Sequence, residues 1–274
     1  MNQQQTEISK IGEFGLIDRL TDGISLVNKS SLRGVGDDCA VLRYPDTDVL
    51  VSTDLLVEGI HFDLTYVPLK HLGYKAAVVN FSDIYAMNGH PRQITVSLAI
   101  SSRFTVEHIE ELYSGIRLAC EIYGVDLVGG DTTASRSGLV ISITAIGDAP
   151  ADRIATRSGA KPTDLICVSG DFGAAYMGLQ LLEREKTVGQ TDFQPQFQGK
   201  EYLVERQLKP EARRDIIENL EKAHIVPTSM IDVSDGLSSE LLHICKASGV
   251  GCRVYEDRIP IDYQTALMAE ELNM

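Results

Sequence analysis

A mixed α/β (or α+β) chain is what this sequence predicts, on three observations. Short apolar runs of strand length alternate with longer stretches at helical spacing. Most of these runs meet a turn that holds aspartate, often beside glycine or serine. Hydrophobic residues make up 43% and charged residues 23% of 274 positions, the balance of a globular chain with room for one large domain or two ordinary ones.

The elements follow in order. MNQQQTEISK lacks an apolar stretch after a basic one and is not expected to be a secretory signal; residues 1–9 read as a loose tail. Val49-Leu50-Val51-Ser52-Thr53 reads as a short buried strand ending at Asp54. Leu69 to Met87 reads as a helix with Leu72, Ala76, Val79 and Phe81 among its apolar positions, stopped by Asn88-Gly89 with Pro91 beyond. Ile94 to Ile100 alternates apolar with Thr and Ser, as a half-buried strand does. Thr105 is placed to cap a helix in which Val106, Ile109, Leu112, Ile116, Ala119 and Ile122 keep helical spacing, closed by Gly124. Val125 to Val128 leads into Gly129-Gly130-Asp131, and Leu139 to Ile146 is a further strand.

A boundary is expected near residue 150, where Asp148-Ala149-Pro150-Ala151-Asp152 interrupts the apolar pattern. It divides the chain into 1–149 and 150–274. In the second part a strand is expected at Leu165 to Val168. It runs into Ser169-Gly170-Asp171-Phe172-Gly173 and a helix to about Leu182. Residues 186–200 read as a Gln-rich surface loop, 211–222 and 237–247 as helices, 251–255 as a strand.

Nothing approaches eighteen consecutive apolar residues, so no membrane span is expected. The five cysteines form no CxxC pair, which suits reduced thiols in the cytoplasm and makes a zinc site improbable. A net charge of −14 argues against nucleic acid as a partner. Solubility alone accounts for that total. It does not account for the way aspartates gather at Gly36-Asp37-Asp38, Ser52-Thr53-Asp54, Ser82-Asp83, Gly129-Gly130-Asp131 and Asp232-Val233-Ser234-Asp235-Gly236. A single Asp beside Gly is usually a turn residue; five such clusters point to a shared site.

Mg²⁺ asks for oxygen ligands, a few of them carboxylates, and usually for substrate phosphates. Asp38, Asp54, Asp83, Asp131 and Asp232 are the candidate carboxylates, with Ser52 and Thr53 as further oxygens. Neither GxxxxGK[ST] nor GxGxxG occurs, so a phosphate site here would rest on metal ions and glycine-rich turns. Arg157 reads equally as a phosphate contact or a surface arginine, and His61 as a substrate contact or a structural histidine. Asn80 and Asp83 share a helix face.

Together VGDDCAVL (35–42), STDLLVEGIHF (52–62), GYKAAVVNFSDIYAMNG (73–89), VGGDTT (128–133), TRSGAKPTD (156–164) and MIDVSDGL (230–237), with GEFGLI at 12–17, resemble the thiamine-monophosphate kinase family. Its superfamily includes aminoimidazole ribonucleotide synthetase and selenophosphate synthetase. The resemblance implies a cytoplasmic transferase of thiamine biosynthesis, an ATP-dependent kinase that converts thiamine monophosphate to thiamine diphosphate with several Mg²⁺ ions. It implies a two-domain aminoimidazole-ribonucleotide-synthetase-like fold whose N-terminal sheets pair in a homodimer. By motif, Asp38, Ser52, Thr53, Asp54, Asp83, Asp131, Asp232 and Asp235 would be metal ligands. Tyr113, Gly130, Asp131, Arg157 and Ser234 would contact ATP, and His61 the thiamine monophosphate. No catalytic general base is implied. The family's pattern continues into a Gly-Gly-Glu-Asp-Tyr stretch beyond Met274, so the second domain is expected to be incomplete in this chain. The rival readings are another ATP-dependent synthetase of the superfamily and a non-catalytic Mg²⁺- or nucleotide-binding protein.

Overall fold

A computed structural model describes residues 31–33, 36–44, 47–188 and 197–274. The expected tail at 1–9, the GEFGLI stretch and positions 189–196 of the Gln-rich segment lie outside the described residues.

Six strands form one sheet: β1 (Ser31–Arg33), β2 (Ala40–Tyr44), β3 (Thr47–Val57), β4 (His90–Ile100), β5 (Asp126–Ala134) and β6 (Val140–Ala149), in the spatial order β1-β2-β3-β6-β4-β5. Every pairing is antiparallel except β4 with β5. Those two are joined by a helical crossover, as parallel neighbours require. Alternation along β6 buries Ile141, Ile143, Ala145 and Ala149 on one face while Ser142, Thr144 and Ile146 lie on the other, half-buried.

Two helices cover the buried face. α1 (Leu69–Ala86) packs on β3, β4 and β6, and α2 (Val106–Tyr123) packs on α1. Thr105 caps α2 reciprocally with His108, and Gly124 ends it in the left-handed conformation, as the sequence predicts. Of the expected apolar stripe, Leu112, Ile116 and Ala119 are buried, whereas Val106 and Ile122 are exposed. The two helices touch through glycine. A Cβ at Gly73 would lie 2.0 Å from Leu112 O, and one at Gly115 would lie 1.8 Å from Lys70 O.

Two strands are longer than expected. β3 does not stop at Asp54, because Leu55, Leu56 and Val57 go on pairing with Ser142, Ile141 and Val140. Gly129-Gly130-Asp131 is likewise no turn but the middle of edge strand β5. There Gly130 is required, since a Cβ would meet Val96 O at 1.8 Å.

Beyond residue 150 come α3 (Ala174–Val188), α4 (Glu201–Leu208), α5 (Arg214–Lys222), α6 (Leu237–Ser248), a 3₁₀ turn at Glu256–Arg258, and α7 (Tyr263–Glu271). α4 was not expected from the sequence. The segments 165–168 and 251–255 take up no regular structure, and neither finds a strand partner among the described residues. Alternating apolar residues give a strand only when a neighbouring backbone takes up its hydrogen bonds, and here Leu165, Ile166, Val168, Val254 and Tyr255 remain exposed.

The main core draws on the sheet, α1 and α2, and also takes in Ala212 and Ile217 from the second half. A smaller core of Ala174, Met177, Leu181, Leu203 and Met268 lies wholly within that half. The Glu211 carboxylate ties the halves together: its Oε2 accepts from Tyr74 Oη at 2.7 Å and from Tyr123 Oη at 2.6 Å.

Candidate active site

Three carboxylates from distant parts of the chain come together. One oxygen each of Asp38, Asp83 and Asp232 lies within 4.8 Å of the others. Asp38 precedes β2, Asp83 sits in the last turn of α1, and Asp232 lies in the loop before α6. Asp54 reaches the same place from β3, where strand alternation turns Ser52 and Asp54 toward α1. The Ser52 hydroxyl donates to Asp83 Oδ2. Asp54 N donates to Asn80 Oδ1 at 3.1 Å, so the residue one turn before Asp83 on α1 fixes the strand beside it.

Crowding of acids shows in their titration. Asp83 is pushed up to about 8, first by burial and then by the charges of Asp54 and Asp232. Asp232 is pushed up to about 6 by burial, against the opposing effect of the Ser82 hydroxyl, which donates to its Oδ2 at 2.6 Å. Burial also raises Asp54, while nearby His61 lowers it. The buried Cys39 thiol, held on Asp83 O at 3.4 Å, is driven up by burial and by the surrounding aspartates.

Among the described residues, Arg157 is the cation paired with Asp38 at the cluster. Its Nη2 and Nε donate to Asp38 Oδ1 and Oδ2 at 2.7 and 3.1 Å, and its backbone N–H donates to Asp37 Oδ1 at 3.1 Å. One guanidinium leaves several carboxylates uncompensated. Oxygen-only donors with excess negative charge fit Mg²⁺ and give no foothold to a metal that prefers nitrogen or sulfur. Asp38 belongs to the three-acid group, whereas neighbouring Asp37 faces Arg33 and the Arg157 backbone.

Other expected site residues lie elsewhere. The Thr53 side chain is turned to the far face of the sheet, where its Oγ1 donates to Ile143 O at 3.1 Å and accepts from Thr144 Oγ1 at 3.0 Å. Asp131 is exposed on β5, three strands from β3, or about 14 Å at ordinary strand spacing. Gly130 adjoins it. Tyr113 lines a largely apolar cleft of about 420 Å³ along α2 with Ile100, Phe104, Ile109 and Arg117. Asp235 and Ser234 are exposed in the Asp232 loop, outside the three-acid group. His61 is exposed just past β3, and its Nδ1 accepts from Val57 N at 3.0 Å, which leaves Nε2 as the outward nitrogen.

Sequence reading did not single out Ser82 as a partner of Asp232, nor Glu240, which accepts from the backbone of Ser234 and Asp235. Ser82 carried a signal of sorts, a hydroxyl beside a candidate ligand. Glu240 carried none, since a glutamate in a helix is ordinary.

Comparison with known proteins fits this arrangement. Residues 36–149 match the family model for AIR synthase related protein, N-terminal domain. A thiamine-monophosphate kinase of Bacillus subtilis (strain 168) is 36% identical over 253 residues, covering 91% of this chain and 74% of the relative. This chain belongs to the thiamine-monophosphate kinase family. The family's member in Aquifex aeolicus (strain VF5) is 33% identical over 265 residues, covering 96% of this chain and 80% of its own. The structure of AaThiL complexed with AMPPCP and TMP superposes with a TM-score of 0.84 at 31% identity, over 98% of this chain and 81% of that one. The strands, helices and acid cluster described above are thus set in the family's fold.

Proposed function

We propose that this chain transfers the γ-phosphoryl group of ATP to thiamine monophosphate, giving thiamine diphosphate and ADP. The observation that carries the reading is the convergence of Asp38, Asp83 and Asp232 on one point. Family membership names the acceptor, and AaThiL, of the same fold, holds AMPPCP and TMP.

Asp38, Asp54, Asp83 and Asp232, with the Ser52 hydroxyl, would hold Mg²⁺. When bound, the metal supplies charge neutralisation between the carboxylates and the triphosphate. The chain's own residues do the positioning. Asp38 holds the Arg157 guanidinium beside the cluster, where it can turn to a phosphate. His61 presents Nε2 toward the acceptor. Tyr113 offers an apolar cleft to the base of the nucleotide, and Gly130 and Asp131 lie on an open strand edge. The acceptor phosphate is ionised at neutral pH, so no group has to remove a proton. In-line displacement then rests on alignment and electrostatics.

Asp131 and Asp235 lie apart from the three-acid group, and we read them as contacts for further ions along the triphosphate rather than ligands of the same one, whereas the Thr53 hydroxyl faces away from the site. The face of the sheet away from α1, with Thr53, Leu55, Thr95, Ser97 and Thr144, is the one we assign to homodimer pairing. No described helix is long and apolar enough to cross a membrane. All five cysteines are free, which suits the cytoplasm. The deciding experiment incubates the chain with ATP, Mg²⁺ and thiamine monophosphate and quantifies thiamine diphosphate. Product that needs all three is the expected result, and ADP release with no thiamine diphosphate would sink the reading.

A further inference from the structure

Glu240 is only 4% exposed, although it stands one turn into α6 beside an exposed loop. Its Oε1 accepts from Ser234 N at 3.1 Å, from Asp235 N at 2.9 Å and from Ser234 Oγ at 3.4 Å. Its Oε2 is buried without a hydrogen-bond partner. Consecutive backbone N–H groups at a helix start form a concavity that attracts an anion, which in many proteins is a phosphate from solution. Here the anion-binding donors are taken by a side chain of the same helix.

The bonded residues give this arrangement its meaning. Ser234 and Asp235 follow Asp232, whose carboxylate joins the three-acid group and whose Oδ2 accepts from the Ser82 hydroxyl. The chain enters the loop through Met230 N, which donates to Thr156 O at 2.9 Å beside Arg157. It leaves through Gly236, whose φ of 117° suits glycine. Between these points Ser82 holds Asp232 and Glu240 holds Ser234 and Asp235.

We propose that Glu240 is the positioning residue of the Asp232–Asp235 loop, an internal anion that occupies the Ser234 and Asp235 N–H groups and so holds Asp232 against Asp38 and Asp83. The proposal rests on the reading of this loop as part of the kinase site. It follows that phosphate groups do not take these two N–H donors, and that a nucleotide meets the loop by way of the metal ion that Asp232 would help to hold.

The test has two arms. Amide hydrogen exchange on the ligand-free wild-type chain should show Ser234 and Asp235 exchanging about tenfold or more slowly than the exposed Val233. Calorimetric titration with Mg²⁺ and ADP is then run on Glu240→Leu, which has no acceptor, and Glu240→Gln, whose amide oxygen can still take both N–H groups. The expected result is affinity weakened about tenfold or more in the leucine variant and held within about threefold of wild type in the glutamine variant. Unprotected amides in the wild type, unchanged binding in the leucine variant, or equal loss in both variants would each overturn the proposal. Should the leucine variant fail to fold, the exchange rates and the glutamine variant decide. A wild-type chain that binds Mg²⁺ and ADP yet makes no thiamine diphosphate would refute the kinase reading and leave the Glu240 result standing.

Discussion

The Ser82 hydroxyl donates to Asp232 across 150 positions of sequence, while the next residue of α1, Asp83, accepts from Ser52 on β3. Two neighbours on one helix thus fasten a strand on one side and a loop of the second half on the other. Replacing Ser82 by Ala removes a hydrogen bond to a charged group, a loss of about 1.5–3 kcal/mol. It also removes the one hydroxyl that opposes the rise in the Asp232 pKa. Mg²⁺ affinity in the presence of ADP should fall about tenfold. Titration calorimetry measures it, and wild-type affinity would show that Asp232 is held by other contacts.

Asp83→Asn separates stability from activity. The substitution removes a buried acid that has to take up a proton on folding at neutral pH, so the metal-free variant should melt at or above the wild-type temperature. Turnover should drop by at least about 100-fold as a ligand is lost. A thermal melt without metal and a thiamine diphosphate assay with it give the two readings. Near-normal turnover would remove Asp83 from the metal site.

The same residue predicts a pH dependence. In the fold Asp83 releases its proton near pH 8, whereas the unfolded value is 3.8. Between those values the folded chain holds a proton that the unfolded chain has lost, so stability falls as pH rises. The metal-free protein should therefore melt higher at pH 6 than at pH 8.5, with Asp83→Asn flattening the difference. Mg²⁺ displaces that proton, so its affinity should climb over the same interval. A melting temperature that rises with pH without metal would contradict the assignment.

His61→Ala tests the acceptor side. Because Val57 N fixes the ring through Nδ1, Nε2 is the group lost. The KM for thiamine monophosphate should rise about tenfold while the KM for ATP stays near the wild-type value. Steady-state kinetics with each substrate varied in turn distinguish this from a general loss.

Gly115→Ala probes the scaffold. The new methyl would enter the Lys70 carbonyl, which is backbone and can retreat only by moving α1. A cost on the order of 1–3 kcal/mol is expected, read as a lower denaturant midpoint. An unchanged midpoint would mean that the helix pair can slide.

Much of the first half was legible in the sequence. α1 and α2 lie within a residue or two of their expected limits because the signals there are local: Thr105 to start, Gly124 and Asn88-Gly89 to stop. Strand ends were misplaced at Asp54 and at Gly129-Gly130-Asp131, where polar and glycine residues look like turns. Partner strands override that local preference, and pairing is not written in the strand itself. The same fact explains 165–168 and 251–255, which have strand composition and no ladder. At the site, residue chemistry picked out Asp38, Asp54, Asp83, Asp131 and Asp232 with Ser52 and Thr53; the fold gathers Asp38, Ser52, Asp54, Asp83 and Asp232 and leaves Asp131 and the Thr53 side chain apart. The far-side orientation of Thr53 followed from strand alternation once β3 was seen to run through it. Glu240 was beyond reach, since only burial distinguishes it from any helix glutamate.

The join between Ser82 and Asp232 also bears on when the protein becomes competent. The sheet, α1 and α2 are complete by residue 149, and domains tend to form from the N-terminus as the chain emerges. Asp38, Asp54 and Asp83 would then be in place before Asp232 exists. Arg157 follows soon after the sheet, and arrival of the loop before α6 brings the fourth acid, with the Glu240 anchor just behind it. The acid cluster is therefore completed late in biogenesis, and a nascent chain halted short of Asp232 would be folded in its sheet yet inert.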